Sequence, residues 1–97
     1  MNEEITQVKF SKEYDGQVVS VVCTKSDFNS SFWDCNFSKI SLLNLAHFVV
    51  ELFNCATLGS AKYLWLHFGN HCVQVERSTE TNTFTHYLEV FASKLLF

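Results

Sequence analysis

Apolar and polar residues alternate through residues 6–24 on either side of Tyr14-Asp15-Gly16-Gln17, and this pattern limits what the chain can fold into more than any other stretch. Asp-Gly tolerates the positive φ angles that a two-residue turn between antiparallel strands demands, so the segment predicts a β-hairpin. Pairing Tyr14 with Gln17 sets the register. Val8, Phe10, Val19, Val21 and Cys23 then share one face, while Gln7, Lys9, Ser11, Glu13, Ser20 and Thr24 fall mainly on the other. One face belongs to a core and one to water.

A second hairpin is expected over residues 61–68 and 71–77, turning at Gly69-Asn70. With Phe68 opposite His71, the residues Leu64, Leu66, Phe68, Val73 and Val75 line one side, an apolar set suited to a helix-covered core. The other side carries Tyr63, Trp65, His67, Cys72, Gln74 and Glu76. That mixture is neither a plain solvated face nor a plain core.

Between the hairpins, Ser41 can cap a helix whose apolar positions Leu42, Leu45, Ala46, Val49, Leu52, Phe53 and Ala56 recur at three- and four-residue steps, with Gly59 ending it. After the polar loop Thr79-Glu80-Thr81-Asn82, the positions Phe84, Tyr87, Leu88, Phe91 and Leu95 trace a final helical stripe. Residues 25–39 show no clear period although they carry Phe28, Phe32, Trp33 and Phe37, and are expected to form a packed connector with a short turn of helix. The fold expected is α+β in the order ββαββα: an antiparallel four-stranded sheet with two helices packed on one face. The two halves repeat this order coarsely, without a residue-level repeat.

At 97 residues the chain matches the commonest size of one domain, so residues 1–97 are read as a single unit. Apolar residues make up 47% and charged residues 18%, which separates it from disordered chains. A domain this small buries only about 60 to 65% of its extended surface, so the ten Phe and two Trp must carry much of the burial. The start, Met1-Asn2-Glu3-Glu4, lacks the basic and apolar regions of a secretory signal. The most apolar stretch, residues 42–53, is interrupted by Asn44, His47 and Glu51 and falls short of the roughly 20 residues that span a bilayer. Four cysteines without C-x-x-C spacing fit reduced thiols in a cytoplasmic protein, two disulfides in an exported one being the other option. A net charge of −3 and a single arginine, Arg77, disfavour direct nucleic-acid binding.

Catalytic chemistry finds little support. His67, His71 and Cys72 lie close in sequence, yet the proposed hairpin points His67 and Cys72 to one face and His71 to the other, so they do not converge on a metal ion. Cys72 and His67 could be drawn as a nucleophile and its base, but neither an oxyanion hole nor a cleft is evident beside a tight hairpin. Phosphate loops, dinucleotide fingerprints, G-x-S-x-G and His-Glu-x-x-His are absent from the sequence. The expectation is a protein that is not an enzyme, with no cofactor, no metal site and no membrane partner.

What remains is surface. Tyr63 and Trp65 on the outer sheet face, near Glu76, have the aromatic composition of an interface centre, and Trp33-Asp34 in the connector offers a second anchor. The candidate partner-binding residues are therefore Trp33, Asp34, Tyr63, Trp65 and Glu76. In the alternative arrangement the connector folds over the outer face and covers Trp65 beneath Phe32 or Trp33. In size, acidity, lack of a signal peptide and lack of catalytic motifs the chain resembles the small bacterial immunity proteins that neutralise delivered toxins. That resemblance implies an inhibitor whose partner is a basic toxin or nuclease domain. A phage-encoded inhibitor of a bacterial defence system has the same character, although a DNA mimic would carry more negative charge. A homodimer joined through Tyr63 and Trp65 is the third option.

Overall fold

The chain order is β1 (Thr6–Tyr14), β2 (Gln17–Lys25), β3 (Phe32–Phe37), α1 (Leu42–Asn54), β4 (Tyr63–Phe68), β5 (His71–Glu76) and α2 (Thr83–Leu95). This is a computed structural model, and it describes residues 6–25, 31–79 and 81–95. Both hairpin turns fall where the alternation puts them. Tyr14 stands opposite Gln17 and Phe68 opposite His71. Asp15 and Gly16 hold φ at 53° and 80°, the two left-handed residues that a type I′ turn requires. Gly69 supplies the left-handed residue of the second turn at φ 56°.

The sheet departs from expectation in one respect. It has five strands in the order β1-β2-β3-β4-β5, because residues 32–37 of the connector form a strand at its centre. Strand β3 runs antiparallel to β2 and parallel to β4, so the sheet is mixed and the order is βββαββα. The alternation is present in the sequence: Trp33, Cys35 and Phe37 are buried while Phe32, Asp34 and Asn36 are half-buried or exposed. Adjacent Phe32 and Trp33 hide it, since each ring belongs to a different face, and Asp and Asn are poor strand formers. Between β3 and β4, α1 serves as the crossover connection that a parallel pair requires.

Both helices pack on one face. Val19, Val21, Cys23, Trp33, Cys35, Phe37, Leu64, Leu66, Val73 and Val75 form one buried cluster with Leu45, Phe48, Val49 and Leu52 of α1 and Tyr87 and Phe91 of α2. Each such Leu, Val or Phe taken from water contributes about 1.5 to 3 kcal/mol, so this layer is the main source of stability. Phe48 packs its ring edge-on to Phe37 at 5.5 Å and tilts against Tyr14 at 6.0 Å, and Phe53 stacks on Tyr87 at 5.7 Å. Helix α1 starts as expected, with Ser41 Oγ accepting the Asn44 N–H at 3.2 Å. It ends earlier than expected, at Asn54 with Cys55 as its cap, which leaves Ala56 exposed and Gly59 in the turn that follows. Helix α2 is capped by Asn82, whose Oδ1 accepts the Thr85 N–H at 3.1 Å.

Arg77, the single arginine, closes the structure behind β5. Its Nε donates to Ala61 O at 3.0 Å, Nη1 to Phe53 O at 2.8 Å, and Nη2 to Leu58 O and Gly59 O at 3.0 Å each. The guanidinium also lies 4.7 Å from the centre of the Phe53 ring. One side chain thereby satisfies the carbonyls that α1 and its exit turn leave open. Among the described residues, no helix is long and apolar enough to cross a membrane.

Candidate protein-binding face

With both helices on one side, the other side of the sheet is formed, among the described residues, by strand side chains. Register defines its rows. Gln7, Thr24, Asp34, Trp65 and Gln74 lie side by side across all five strands, and Lys9, Val22, Asn36, His67 and Cys72 form the next row. Phe32, Tyr63 and Glu76 continue the pattern at the end of β3, β4 and β5. The face is two-toned. Its β1 and β2 half holds polar pairs such as Ser11 with Ser20 (3.2 Å) and Gln7 with Thr24 (3.4 Å), together with Val18, which is 64% exposed.

The half made by β3, β4 and β5 gathers rings and carboxylates. Phe32 and Tyr63, opposite each other across the parallel pair, stack at 5.3 Å with their planes 10° apart. Trp65 is half-buried beside them, with Asp34 in register on one flank and Gln74 on the other. His67 Nε2 meets Asp34 Oδ1 at 3.1 Å, both side chains remaining about 40% open to solvent (36% and 42%). Outward positions of these three strands contain Asp34 and Glu76 and neither lysine nor arginine. The fixed charge on this half is therefore acidic.

Four of the five residues expected to bind a partner lie on this half: Asp34, Tyr63, Trp65 and Glu76. Trp33 does not. It points the opposite way, is 3% exposed and belongs to the helix-covered core, with Lys25 Nζ 5.5 Å from its ring centre. Its place follows from β3: in a strand, neighbours in sequence take opposite faces, so Trp33 and Asp34 cannot both look outward. Phe32 occupies the outward place instead, a position sequence reasoning missed because residues 25–39 were read as irregular. The connector cannot cover the sheet through Phe32 or Trp33, since one lies in the outer face and the other in the core; residues 26–30, including Phe28, lie outside the described residues.

His67 and Cys72 are directly opposite on this face and His71 is turned away, as the hairpin register implied. His67 is directed at Asp34, and among the described residues no hydrogen bond joins it to Cys72. Beyond the β5 edge, a cleft of about 370 Å³ runs between that strand and α2, lined by Gln74, Val75, Glu76, His86, Val90 and Lys94. Lys94 Nζ donates to Gln74 O at 3.0 Å across it, so part of that strand edge is already occupied. Comparison with protein-family models, with curated proteins and with solved structures finds no match to the chain.

Proposed function

We propose that this protein is a small inhibitory binding protein that docks a basic protein domain on the uncovered half-face made by β3, β4 and β5, in the manner of an immunity protein that occludes a toxin. The observation that carries the proposal is the placement of Phe32, Tyr63 and Trp65 together on the side without helices, flanked by the carboxylates of Asp34 and Glu76. Half-buried aromatic groups give large contact area at low entropic cost, and binding energy in interfaces concentrates in such anchors. Carboxylates beside rings suit lysine and arginine, which can pair with the charge and lie on the π face. A cationic partner is also steered by the overall charge of −3. Tyr63, Trp65, Asp34 and Glu76 are the contact residues in this reading, and Trp33 supports them from the core.

The test is capture from the native cell with the purified chain as bait, using wild type, Trp65→Ala, Glu76→Lys and Leu43→Ala. Leu43 is an exposed residue of α1, 52% accessible and on the covered side of the sheet. The expected result is one basic partner, retained by wild type and Leu43→Ala, lost with Trp65→Ala and Glu76→Lys, and inhibited in its own activity at one-to-one stoichiometry. Unchanged capture by Trp65→Ala removes the face from the interface. A dimer by light scattering that Trp65→Ala converts to monomer supports self-association through the same face and overturns the inhibitor reading.

A further inference from the structure

Cys23 and Cys35 stand directly opposite each other in the antiparallel β2–β3 pair, on the helix-covered side, and both are wholly buried. Both are free thiols. The other two cysteines differ: Cys55 caps α1 and Cys72 faces His67 on the exposed side. Residues opposite one another in an antiparallel pair keep their Cβ atoms about 4.5 to 5.5 Å apart. Disulfides form at Cβ separations of about 3.5 to 4.5 Å with Cα atoms about 4.4 to 6.8 Å apart, so closure needs a local movement of roughly an ångström. The sulfhydryl contact with Cys23, then burial, pushes the Cys35 thiol well above its ordinary range. The attacking species in exchange is the thiolate, so the pair persists as thiols while the sheet stays closed.

We infer that Cys23 and Cys35 are a redox modification site, a cross-strand dithiol that closes to a disulfide between β2 and β3 when the sheet opens locally in the presence of an oxidised low-molecular-weight disulfide. One protein thiolate attacks the small disulfide, forming a mixed disulfide and releasing one small thiol. The second protein thiolate attacks the protein sulfur of that mixed disulfide, the cross-strand S–S bond forms, and the second small thiol leaves. Two electrons and two protons pass from the cysteine pair to the reagent, which is reduced to two thiols.

The experiment incubates the reduced full-length protein with oxidised glutathione, with and without sub-denaturing urea, and reads intact mass and a non-reducing tryptic map. Cleavage after Lys12, Lys25 and Lys39 places Cys23 in residues 13–25 and Cys35 in residues 26–39. Expected are loss of two hydrogen atoms, one cross-linked species joining those two peptides, faster closure with urea, and a higher urea midpoint for the oxidised form. Cys35→Ala should abolish the cross-link. The double variant Cys55→Ser, Cys72→Ser keeps the pair as its sole thiols and must still lose two hydrogens, which guards against a failure of Cys35→Ala to fold. Cross-links through Cys55 or Cys72, a disulfide-linked dimer, a glutathione adduct that never resolves, or no mass loss in urea would each overturn the inference.

Discussion

Arg77→Met should be among the most destabilising substitutions outside the apolar core. The guanidinium donates to four carbonyls, of Ala61, Phe53, Leu58 and Gly59, and three of those bonds are partly buried. A hydrogen bond from a charged donor contributes roughly 1.5 to 3 kcal/mol net where water is excluded, but four bonds on one group do not add, and the Gly59 bond is open to solvent. Methionine keeps an apolar stem of similar length but abandons every bond and the guanidinium contact with the Phe53 ring, so the cost should be about 3 kcal/mol. For a domain of this size that is a drop in Tm on the order of 12 to 24 °C. Lysine can reach one or two of the carbonyls but lacks the fork, so Arg77→Lys should lie nearer to Met than to wild type. Urea unfolding followed by far-ultraviolet circular dichroism measures both, and the slope against denaturant should stay constant. A methionine variant within about 0.5 kcal/mol of wild type would mean that water serves these carbonyls equally well.

The two tryptophans should separate cleanly in stability. Trp33→Ala opens a cavity under the helices and should cost about 3 to 5 kcal/mol, whereas Trp65→Ala on the uncovered face should cost about 1 kcal/mol or less; equal losses in urea unfolding would contradict the assigned faces. Among the described residues the buried Tyr14 hydroxyl has no hydrogen-bond partner, so Tyr14→Phe should be neutral or stabilising by about 1 kcal/mol at neutral pH. Burial, and then the nearby Glu51 carboxylate, raise the Tyr14 phenol above its ordinary value of 10.0. A raised folded pKa means stability fully present below the unfolded value and lost as pH climbs through the folded one, so Tyr14→Phe should also flatten the fall in stability above about pH 10. An alkaline profile unchanged by the substitution would assign that loss to other groups.

The parts of the fold that could be read from sequence are those where a single physical rule acts without competition. Asp15-Gly16 and Gly69-Asn70 fix two registers because a tight turn needs left-handed residues, and every inward Leu and Val of both hairpins follows from counting by twos. Ser41 was legible as a cap for the same reason: a short hydroxyl just before an apolar period of three and four. Strand β3 was not, because an alternation with large rings on both faces looks like no alternation at all. Its parallel pairing with β4 is a contact between residues about 30 apart, which no local pattern specifies. Arg77 illustrates another limit: that its guanidinium donates to four carbonyls depends on where α1 stops, and a lone arginine in a string carries no sign of that.

The missed strand also relocates the site in a way that sharpens it. Had Trp33 and Asp34 belonged to a connector, the candidate anchors would have been scattered over two elements of unknown relation. As a central strand, β3 brings Asp34 into register with Trp65 and Phe32 with Tyr63, and sends Trp33 beneath them. The sheet then grades from hydroxyls, Gln7, Lys9, Glu13 and two valines at β1 and β2 to aromatic rings set among Asp34 and Glu76 at β3, β4 and β5. A face serving only to meet water would gain nothing by concentrating its aromatic groups at one side, where half-buried rings forgo solvation by polar side chains. The proposed partner should therefore touch the side toward β5 and leave the β1 edge free, so that charge reversal at Lys9 should leave capture intact while Glu76→Lys abolishes it.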